Sequence, residues 1–209
     1  MKRILCYGDS NTWGYISGTD HQRYNENQRW TKLLQKELGK KFEVIEEGLN
    51  SRTLFSDDNR PGKEGRNGFT YLKPCLDTHD KIDLIILMLG TNELKNEYNN
   101  SATDILNMVI KYINFIKNYK SQIDKSSPDI LICGLPTVNE KTDYCLKGDK
   151  YKGASEKNEE LNILYEKYCT ENKILYLNND DLKTGVDGVH LTENSHSKLA
   201  KKLSQLIRK

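Results

Sequence analysis

The sequence lacks the features that mark secreted and membrane proteins. Its five cysteines are an odd number and form no CxxC pair, which argues against a disulfide framework and against a thiolate zinc site. No apolar stretch approaches the ~20 residues that a membrane span requires. The apolar stretch after Met1-Lys2-Arg3 is too short for the core of a signal peptide. We therefore expect a protein with reduced thiols in the cytoplasm.

An excess charge of one sign is also missing. The chain has 32 Lys and Arg against 30 Asp and Glu, a net charge of +2, which gives no reason to expect nucleic acid as a partner. The basic residues near the carboxyl terminus lie at helical spacing beside leucines, a pattern typical of a solvated helix face. The length of 209 residues fits a single domain over residues 1–209. A domain of this size can bury a core without a metal or a disulfide.

Five short apolar segments recur along the chain, each followed by turn residues and then by a helical pattern. They are Arg3–Tyr7, Phe42–Ile45, Ile82–Leu89, Ile130–Cys133 and Ile174–Leu177. The third segment shows no polar alternation, as expected for a strand that is covered on both faces. Strands that alternate with helices imply right-handed βαβ units, so we predict an α/β fold with a five-stranded parallel sheet.

Four segments with apolar stripes at helical spacing predict amphipathic helices that pack on this sheet. They are Arg29–Leu38, Ala102–Lys120, Glu156–Glu171 and Glu193–Arg208. Ser101, Ser155 and Thr192 are suited to cap the last three, because a hydroxyl can accept a hydrogen bond from the first helical turn. Gly39 suits the end of the first.

Two further segments are rich in charged or turn-forming residues and are predicted as loops. They are Ser56–Gly68 and Val138–Gly153. Each is either a plain surface loop or a functional one that forms the wall of a substrate pocket or an oligomer contact. The sequence does not decide between these alternatives.

Polar residues suited to chemistry follow the ends of the predicted strands. Ser10 follows the first strand, Ser51 the second and Asn92 the third. In an open α/β sheet, ligands bind outside the carboxyl ends of the strands, at the point where the strand order reverses. In the common strand order 2-1-3-4-5, Ser10 and Asn92 face each other across that point.

Acyl transfer needs a nucleophile, a base, a group that orients the base and donors for the oxyanion. Asp187 lies three residues before His190 and can accept a hydrogen bond from its Nδ1, which leaves Nε2 free to take the proton of Ser10. Each residue also has a purely structural interpretation: a turn or cap for Ser10, a core histidine for His190 and an Asx turn or cap for Asn92. No further ligands accompany the Asp-His pair at metal-binding spacing, so we predict no metal site.

Three groups are candidate donors to the oxyanion. They are the side-chain amide of Asn92 and the backbone N–H groups of Ser10 and Ser51. The loss of one such donor typically costs about 3–4 kcal/mol of transition-state stabilisation.

Taken together, these segments resemble the conserved blocks of the SGNH (GDSL-type) serine hydrolase superfamily. CYGDSNTWGY resembles the first block, with Ser10 as its serine, and LGTNE resembles the third, with Asn92 as its asparagine. DGVHLT resembles the last block, with Asp187 and His190. The second block falls at the segment that contains Ser51, and the four blocks occur in family order over nearly the whole chain.

A narrower resemblance is to the arylesterase/acyltransferase (perhydrolase) branch of this superfamily. It is carried by GDSNTWGY, FEVIEEGLNSRT, YLKPCLDTH, DLIILMLGTNE and GVDGVH. The resemblance implies a three-layer α/β/α sandwich with flavodoxin-like strand order 2-1-3-4-5. It also implies hydrolysis of short-chain esters through an acyl-enzyme on Ser10, with acyltransferase or perhydrolase side activity. No cofactor is implied, and the expected partners are a small-molecule ester and further copies of the chain in a homo-oligomer.

Three positions depart from the family pattern. Ser51 stands where the superfamily usually has glycine, and Gly48 is the other residue that could occupy this position. Because only the backbone N–H is needed there, serine can fill the role. Glu93 replaces the commoner aspartate, and Asn11 replaces the commoner leucine beside the nucleophile, where it bears on the choice of leaving group.

The predicted function is that of a serine esterase, with Asn11, Trp13 and Arg52 as predicted substrate-binding residues. We expect activity to fall in acid as His190 becomes protonated. The nearest alternatives keep the triad and change the substrate to a sugar O-acetyl ester, a lysophospholipid or a thioester. A different class is a non-catalytic flavodoxin-like module that binds a nucleotide or flavin. GDSNTWG weighs against it, because it is neither a GxGxxG motif nor a P-loop.

Overall fold

A parallel β-sheet forms the centre of the computed structural model, which describes residues 1–58 and 60–208. Its strands are β1 (Lys2–Gly8), β2 (Phe42–Gly48), β3 (Leu84–Met88), β4 (Asp129–Cys133) and β5 (Leu175–Leu177). The order β2-β1-β3-β4-β5, with every pair parallel, confirms the predicted order 2-1-3-4-5. Asn59, in the first predicted loop, and Lys209, the last residue of the predicted domain, lie outside the described residues.

The strands are connected by helices, as the alternating pattern predicts. These are α1 (Ser10–Trp13), α2 (Trp30–Leu38), α3 (Gly68–Thr78), α4 (Ala102–Asn118), α5 (Asp143–Leu146), α6 (Ala154–Glu171) and α7 (Glu193–Ile207). A 3₁₀ turn over Thr91–Leu94 follows β3. In the part of the chain that the structure describes, no helix is both long enough and apolar enough to cross a membrane.

The helices cover both faces of the sheet in a three-layer α/β/α sandwich. Helix α2 packs on α7, and α4 packs on α6. Leu5 in β1 lies between Ile45 in β2 and Ile85 in β3. Residues 4–8 of β1 and 85–88 of β3 are buried, which explains why these strands are apolar without alternation. All five cysteines are buried and free.

Two of the three predicted helix caps are confirmed. Ser101 forms a capping box with Asp104, and the Thr192 side chain accepts a hydrogen bond from the Ser195 N–H. The prediction that Ser155 caps α6 is wrong, because that helix already begins at residue 154, after Gly153 in the left-handed conformation. The Ser155 hydroxyl instead donates to the Val138 carbonyl over 2.8 Å.

Helix α3 was not among the helices that the sequence predicts. Pro74 lies inside it, and proline has no N–H to donate within a helix, so the local sequence indicates a break. Tertiary packing compensates, since Phe69 of α3 makes edge-on contacts with Tyr112 and Phe115 of α4. The Asn67 side chain also accepts a hydrogen bond from the Thr70 N–H at the start of the helix.

Candidate active site

The turn after β1 holds Ser10 at the carboxyl end of the sheet. Asp9 is buried, and its carboxylate accepts a hydrogen bond from the Asn11 N–H over 2.9 Å, which caps the short helix α1. Burial raises the pKa of the Asp9 carboxyl, although its hydrogen bond from Asn11 opposes the shift. A β-carbon on Gly48 would lie 2.2 Å from the Trp13 backbone nitrogen. Glycine at the end of β2 therefore lets α1 lie directly against the sheet.

Ser10, His190 and Asp187 form a continuous hydrogen-bonded chain. The Ser10 Oγ lies 2.9 Å from His190 Nε2, and His190 Nδ1 lies 2.7 Å from Asp187 Oδ2. The natural assignment is that Ser10 donates to Nε2 and that Nδ1 donates to the carboxylate. All three side chains are largely buried, but Ser10 and His190 line an open pocket. The structure thus brings together residues that lie 180 positions apart in the sequence.

The loop around Asp187 fixes both its carboxylate and the imidazole. Asp187 Oδ1 accepts hydrogen bonds of 2.9 Å from the N–H groups of Val189 and His190. The Gly18 N–H donates to Oδ2 over 3.3 Å. Burial by itself raises the pKa of Asp187, but the hydrogen bonds and charge of His190 outweigh it and hold that pKa well below its usual value. Asp187 is therefore an ionised acceptor suited to orient His190.

Asn11 connects the turn that carries Ser10 to the loop that carries His190. Its Oδ1 accepts from the Leu191 N–H over 2.9 Å, and its Nδ2 donates to the Val189 carbonyl over 3.2 Å. These contacts lie on either side of His190 in the sequence. Trp30 Nε1 donates to the Asn11 carbonyl over 3.1 Å and ties this turn to α2. Asn11 thus holds the loop that carries the imidazole against the turn that carries Ser10.

Three residues that line the pocket, Ser10 among them, carry candidate N–H donors. In the described part of the chain, the backbone N–H groups of Ser10 and Ser51 donate to no other protein atom. The Asn92 side chain donates one N–H to the Arg52 carbonyl over 2.9 Å and keeps a second N–H for a ligand. Ser10, Ser51 and Asn92 all line the pocket, whereas Gly48 does not.

The backbone at Ser51 adopts a conformation that favours glycine, the residue expected at this position from the family resemblance. Ser51 has φ of 63°, in the left-handed region that glycine enters freely and other residues enter at a cost. That conformation belongs to the turn after β2 that carries Ser51 into the pocket wall. Serine keeps the backbone N–H and accepts the cost of roughly 1–2 kcal/mol.

A pocket of about 550 Å³ opens above these groups. Tyr15 forms one side, where its ring stacks on the His190 imidazole with 4.3 Å between ring centroids. Both predicted loops contribute wall residues, so the functional interpretation of these loops is the one the structure favours. The loop residues that line the pocket are Arg60, Lys63, Asp143, Tyr144, Lys150 and Tyr151.

The residues predicted to bind substrate are not among those that line this pocket. Asn11 is buried and holds the histidine loop, as described above. Arg52 is buried, donates to the Gly8 carbonyl over 2.9 Å and lies over the Tyr7 ring. Trp13 is half-buried and has the Arg23 guanidinium over its ring. Proximity to the motif in sequence did not reveal where these side chains point.

Tyr15 and Lys95 are among the pocket residues that sequence reasoning missed. Tyr15 closes the CYGDSNTWGY block, and Lys95 follows Asn92 by three residues, so position beside a motif was the available signal. Nothing local identified the Tyr15 ring as a partner of His190, since these residues are brought together only by the tertiary fold.

A second polar cluster lies beside β2, where Glu47, Cys75 and His79 place possible metal-ligand atoms within 4.8 Å of one another. His79 Nε2 lies 2.7 Å from Glu47 Oε1, so the two side chains already share a hydrogen bond. The Arg52 guanidinium lies 4.0 Å from Glu47 and would repel a cation. Burial raises the pKa of the Cys75 thiol to about 12, which keeps it protonated and a poor ligand. The chemistry of this cluster therefore favours a hydrogen-bonded network over a metal site.

Comparison with known proteins assigns the chain to a family of acyl hydrolases. The sequence model of the family described as GDSL-like lipase/acylhydrolase matches residues 4–203. An aryl esterase of M. smegmatis shares 32% identity with a TM-score of 0.91, over 100% of this chain and 99% of that one. A carbohydrate acetylesterase from Sinorhizobium meliloti shares 31% identity with the same TM-score, over 100% and 99% of the two chains. No curated protein sequence matches.

Proposed function

Because the chain belongs to the GDSL-like lipase/acylhydrolase family and is a carboxylic ester hydrolase, we propose that it is a serine esterase that uses Ser10 as its nucleophile. The observation that carries the proposal is the pair of hydrogen bonds from Ser10 through His190 to Asp187, at 2.9 and 2.7 Å. This arrangement opens into a pocket that also contains free N–H donors. A nucleophile, a base, an orienting acid and oxyanion donors are the groups that acyl transfer requires.

In the first half of the proposed reaction, Ser10 Oγ attacks the ester carbonyl while its proton passes to His190 Nε2. The carbonyl oxygen becomes an oxyanion, which accepts hydrogen bonds from the N–H groups of Ser10, Ser51 and Asn92. His190 then gives its proton to the oxygen of the leaving alcohol, and the C–O bond breaks. Asp187 stabilises the imidazolium that exists between these two proton transfers.

In the second half, water attacks the acyl-enzyme and restores the starting state. His190 takes a proton from the water and returns it to Ser10 as the acid leaves. Transfer to an alcohol or to peroxide uses the same acyl-enzyme with another acceptor. The wall carries many polar side chains, including Lys63, Lys95 and Lys150, and such a pocket admits water. We therefore propose hydrolysis as the main reaction and acyl transfer as a side activity.

The proposed substrates are short-chain esters. Sugar acetates are a second candidate, supported by the likeness to a carbohydrate acetylesterase and by the hydrogen-bonding groups of the pocket. Initial rates with p-nitrophenyl esters of increasing chain length, compared with acetylated sugars, separate these candidates. A preference for acetate on a sugar over acetate on a phenol would favour the second one.

The proposed nucleophile is tested by the mass of the intact protein after treatment with a fluorophosphonate. We expect one adduct on the wild type and none on Ser10→Ala or His190→Ala, because only a serine activated by a base reacts readily with this reagent. Circular dichroism of each variant shows whether it has folded. An unmodified but folded wild type would contradict the proposal and favour a ligand-binding module without catalysis.

Asn92→Ala tests the proposed oxyanion site. The variant keeps the triad but loses the side-chain N–H that remains free beside its bond to the Arg52 carbonyl. We expect kcat to fall about 10²–10³-fold, as for the loss of one oxyanion donor in other serine hydrolases. Stopped-assay rates on a p-nitrophenyl ester measure this, with Asn118→Ala at the end of α4 as the matched control. A loss below threefold would remove Asn92 from the oxyanion site.

A further inference from the structure

Cationic side chains are concentrated in the wall of the Ser10 pocket. They are Arg60, Lys63, Lys95 and Lys150, from both predicted loops and from the turn after β3. The lining carboxylates are Asp143 and Asp187, and Asp187 is already engaged by His190. The mechanism described above uses none of these four cations. The pocket therefore holds positive charge for which hydrolysis of a neutral ester gives no reason.

Lys95 is the most unusual of the four because it is buried. The residue is only 3% exposed, and the backbone around it is fixed by a hydrogen bond from its own N–H to the Asn92 carbonyl over 3.2 Å. Among the described residues, the only carboxylate within 4.0 Å of its ammonium is Glu97, at 3.9 Å, and that side chain is 56% exposed. In residues 1–58 and 60–208 the Lys95 ammonium donates to no protein atom, and a largely buried charge in such a setting is costly. An anion that enters the pocket would supply a hydrogen-bonded partner.

The electrostatics of Lys95 agree with this geometry. Burial lowers the pKa of its ammonium to about 8, and the neighbouring charge of Lys150 lowers it in the same direction. Both causes destabilise the charged form. A bound anion would act in the opposite sense, since an opposite charge within a few ångströms favours the ammonium.

The remaining cations differ in how far their charge is already balanced. Arg60 donates to both oxygens of Asp58, at 2.8 and 2.5 Å, so its charge is largely compensated. In residues 1–58 and 60–208, no carboxylate lies within 4.0 Å of the Lys63 or Lys150 ammonium. Lys150 Nζ donates to the Tyr144 hydroxyl over 2.6 Å, which holds it in the wall. Lys150 Nζ also lies over the Tyr144 ring, 4.1 Å from its centroid, but like the Lys95 ammonium it has no carboxylate within hydrogen-bond distance in residues 1–58 and 60–208. Lys95 and Lys150 are thus two electrostatically coupled cations of the wall without a hydrogen-bonded anion.

We propose that Lys95 and Lys150 form an anion subsite, and that the preferred substrates are short-chain esters whose alcohol part carries a carboxylate, sulfate or phosphate group. This rests on the proposed function, because it places the anion in the same pocket as the Ser10 nucleophile. The anion is assigned to the alcohol part because the proposed acyl part is short. Charge-assisted hydrogen bonds from lysine would hold such a group while Ser10 attacks the ester carbonyl.

The test compares two aryl acetates of nearly equal size, 3-acetoxybenzoate and its neutral amide 3-acetoxybenzamide. We expect the wild type to hydrolyse the carboxylate with a kcat/KM at least tenfold higher than that of the amide. Added salt should reduce this ratio, because ions screen the attraction between charges. A second pair of esters, phenyl hydrogen glutarate and the neutral amide phenyl 4-carbamoylbutanoate, tests whether an anion on the acyl part is preferred instead. A preference for the anion confined to that pair would overturn the assignment to the alcohol part.

Variants then connect this selectivity to the two lysines. Lys95→Met keeps the shape of the side chain without its charge, and we expect the carboxylate-to-amide ratio to fall about tenfold. Lys150→Met changes a half-buried loop residue, and we expect it to lower the carboxylate-to-amide ratio as well. If Lys95→Met does not fold, Lys150→Met takes its place in the test. The matched control is Lys152→Met, a largely exposed lysine of the same loop that lies outside the Ser10 pocket. A ratio equally reduced by Lys152→Met would indicate general charge attraction and contradict the subsite.

A binding measurement separates this proposal from the proposed function. Ser10→Ala cannot form the acyl-enzyme, so titration calorimetry can measure its dissociation constants for both intact acetates. We expect 3-acetoxybenzoate to bind at least tenfold more tightly than the amide, and Lys95→Met in the same background to remove the difference. Turnover of both acetates with equal kcat/KM, or equal binding by Ser10→Ala, would overturn the anion subsite. Hydrolysis of neither acetate together with selective binding of the anion would support the subsite while counting against the esterase.

Discussion

Ser10→Ala is expected to lower kcat for a p-nitrophenyl ester by about 10⁴–10⁶-fold, because removal of the nucleophile leaves only the oxyanion donors and substrate binding to accelerate the reaction. The hydroxyl is small and lies at the pocket surface, so its loss should leave the fold intact. Burst-phase and steady-state rates, measured on variant protein free of wild type, give the effect. Retention of more than 1% of the wild-type kcat would contradict the proposed role of Ser10.

The double variant Ser10→Ala/His190→Ala sharpens this test. Since the two side chains act as one unit across a 2.9 Å hydrogen bond, removal of both should cost little more than removal of Ser10 alone. The matched control is Ser126→Ala, in the loop before β4 and therefore at the opposite end of the sheet. Additive losses in the double variant would indicate that Ser10 and His190 work independently.

Asp187→Asn is expected to lower kcat by about 10⁴-fold with little change in the fold. The substituted side chain can still accept from the N–H groups of Val189 and His190 through Oδ1, so the loop should keep its shape. The position now held by Oδ2 would carry an amide NH₂, which cannot accept the Nδ1 proton of His190 and so favours the wrong tautomer. The effect should therefore be kinetic.

Thermal unfolding and pre-steady-state rates of the same Asp187→Asn preparation separate a loss of stability from a loss of catalytic rate. We expect an unfolding midpoint within a few degrees of the wild type together with the large loss of kcat. Asp129→Asn, at the start of β4, removes an exposed carboxylate and serves as the control. A kcat within tenfold of the wild type would mean that the 2.7 Å contact between Asp187 and His190 is structural.

The sheet could be predicted because its evidence is local. Residues 85–88 of β3 are apolar on both faces, and each strand precedes a turn and a helix, so strand positions and the parallel direction followed from the local pattern. The order 2-1-3-4-5 was instead what the resemblance to the SGNH hydrolases implied. Helix α3 could not be predicted in the same way. Its interior Pro74 indicates a break, and it is the contact of Phe69 with two aromatic rings of α4 that favours the helix.

The candidate site shows the same division between local and long-range evidence. The motifs identified Ser10, Asp187 and His190, and the fold then brings Ser10 and His190 within 2.9 Å across 180 positions of sequence. The directions of side chains beside the motifs were not predictable. Asn11 follows the nucleophile directly, yet it is buried and bonded to Val189 and Leu191. The pocket wall depends on where two loops fold back over the sheet, which no local pattern specifies.

Asn11 is hydrogen-bonded to Val189 and Leu191, the residues before and after His190. This arrangement has a consequence for how the enzyme could evolve or be engineered. Position 11 maintains the geometry of the proposed triad, so a library that randomises it should yield mostly inactive clones. In the loop of residues 138–153, Thr142 and Cys145 donate to the Asp187 carbonyl and so support the turn that carries Asp187. The wall residues Lys63, Tyr144 and Lys150 make no hydrogen bond to Ser10, Asp187 or His190 in the described part of the chain. Mutational searches for new substrates should therefore be concentrated on such wall residues, where diversity can accumulate without loss of the catalytic step.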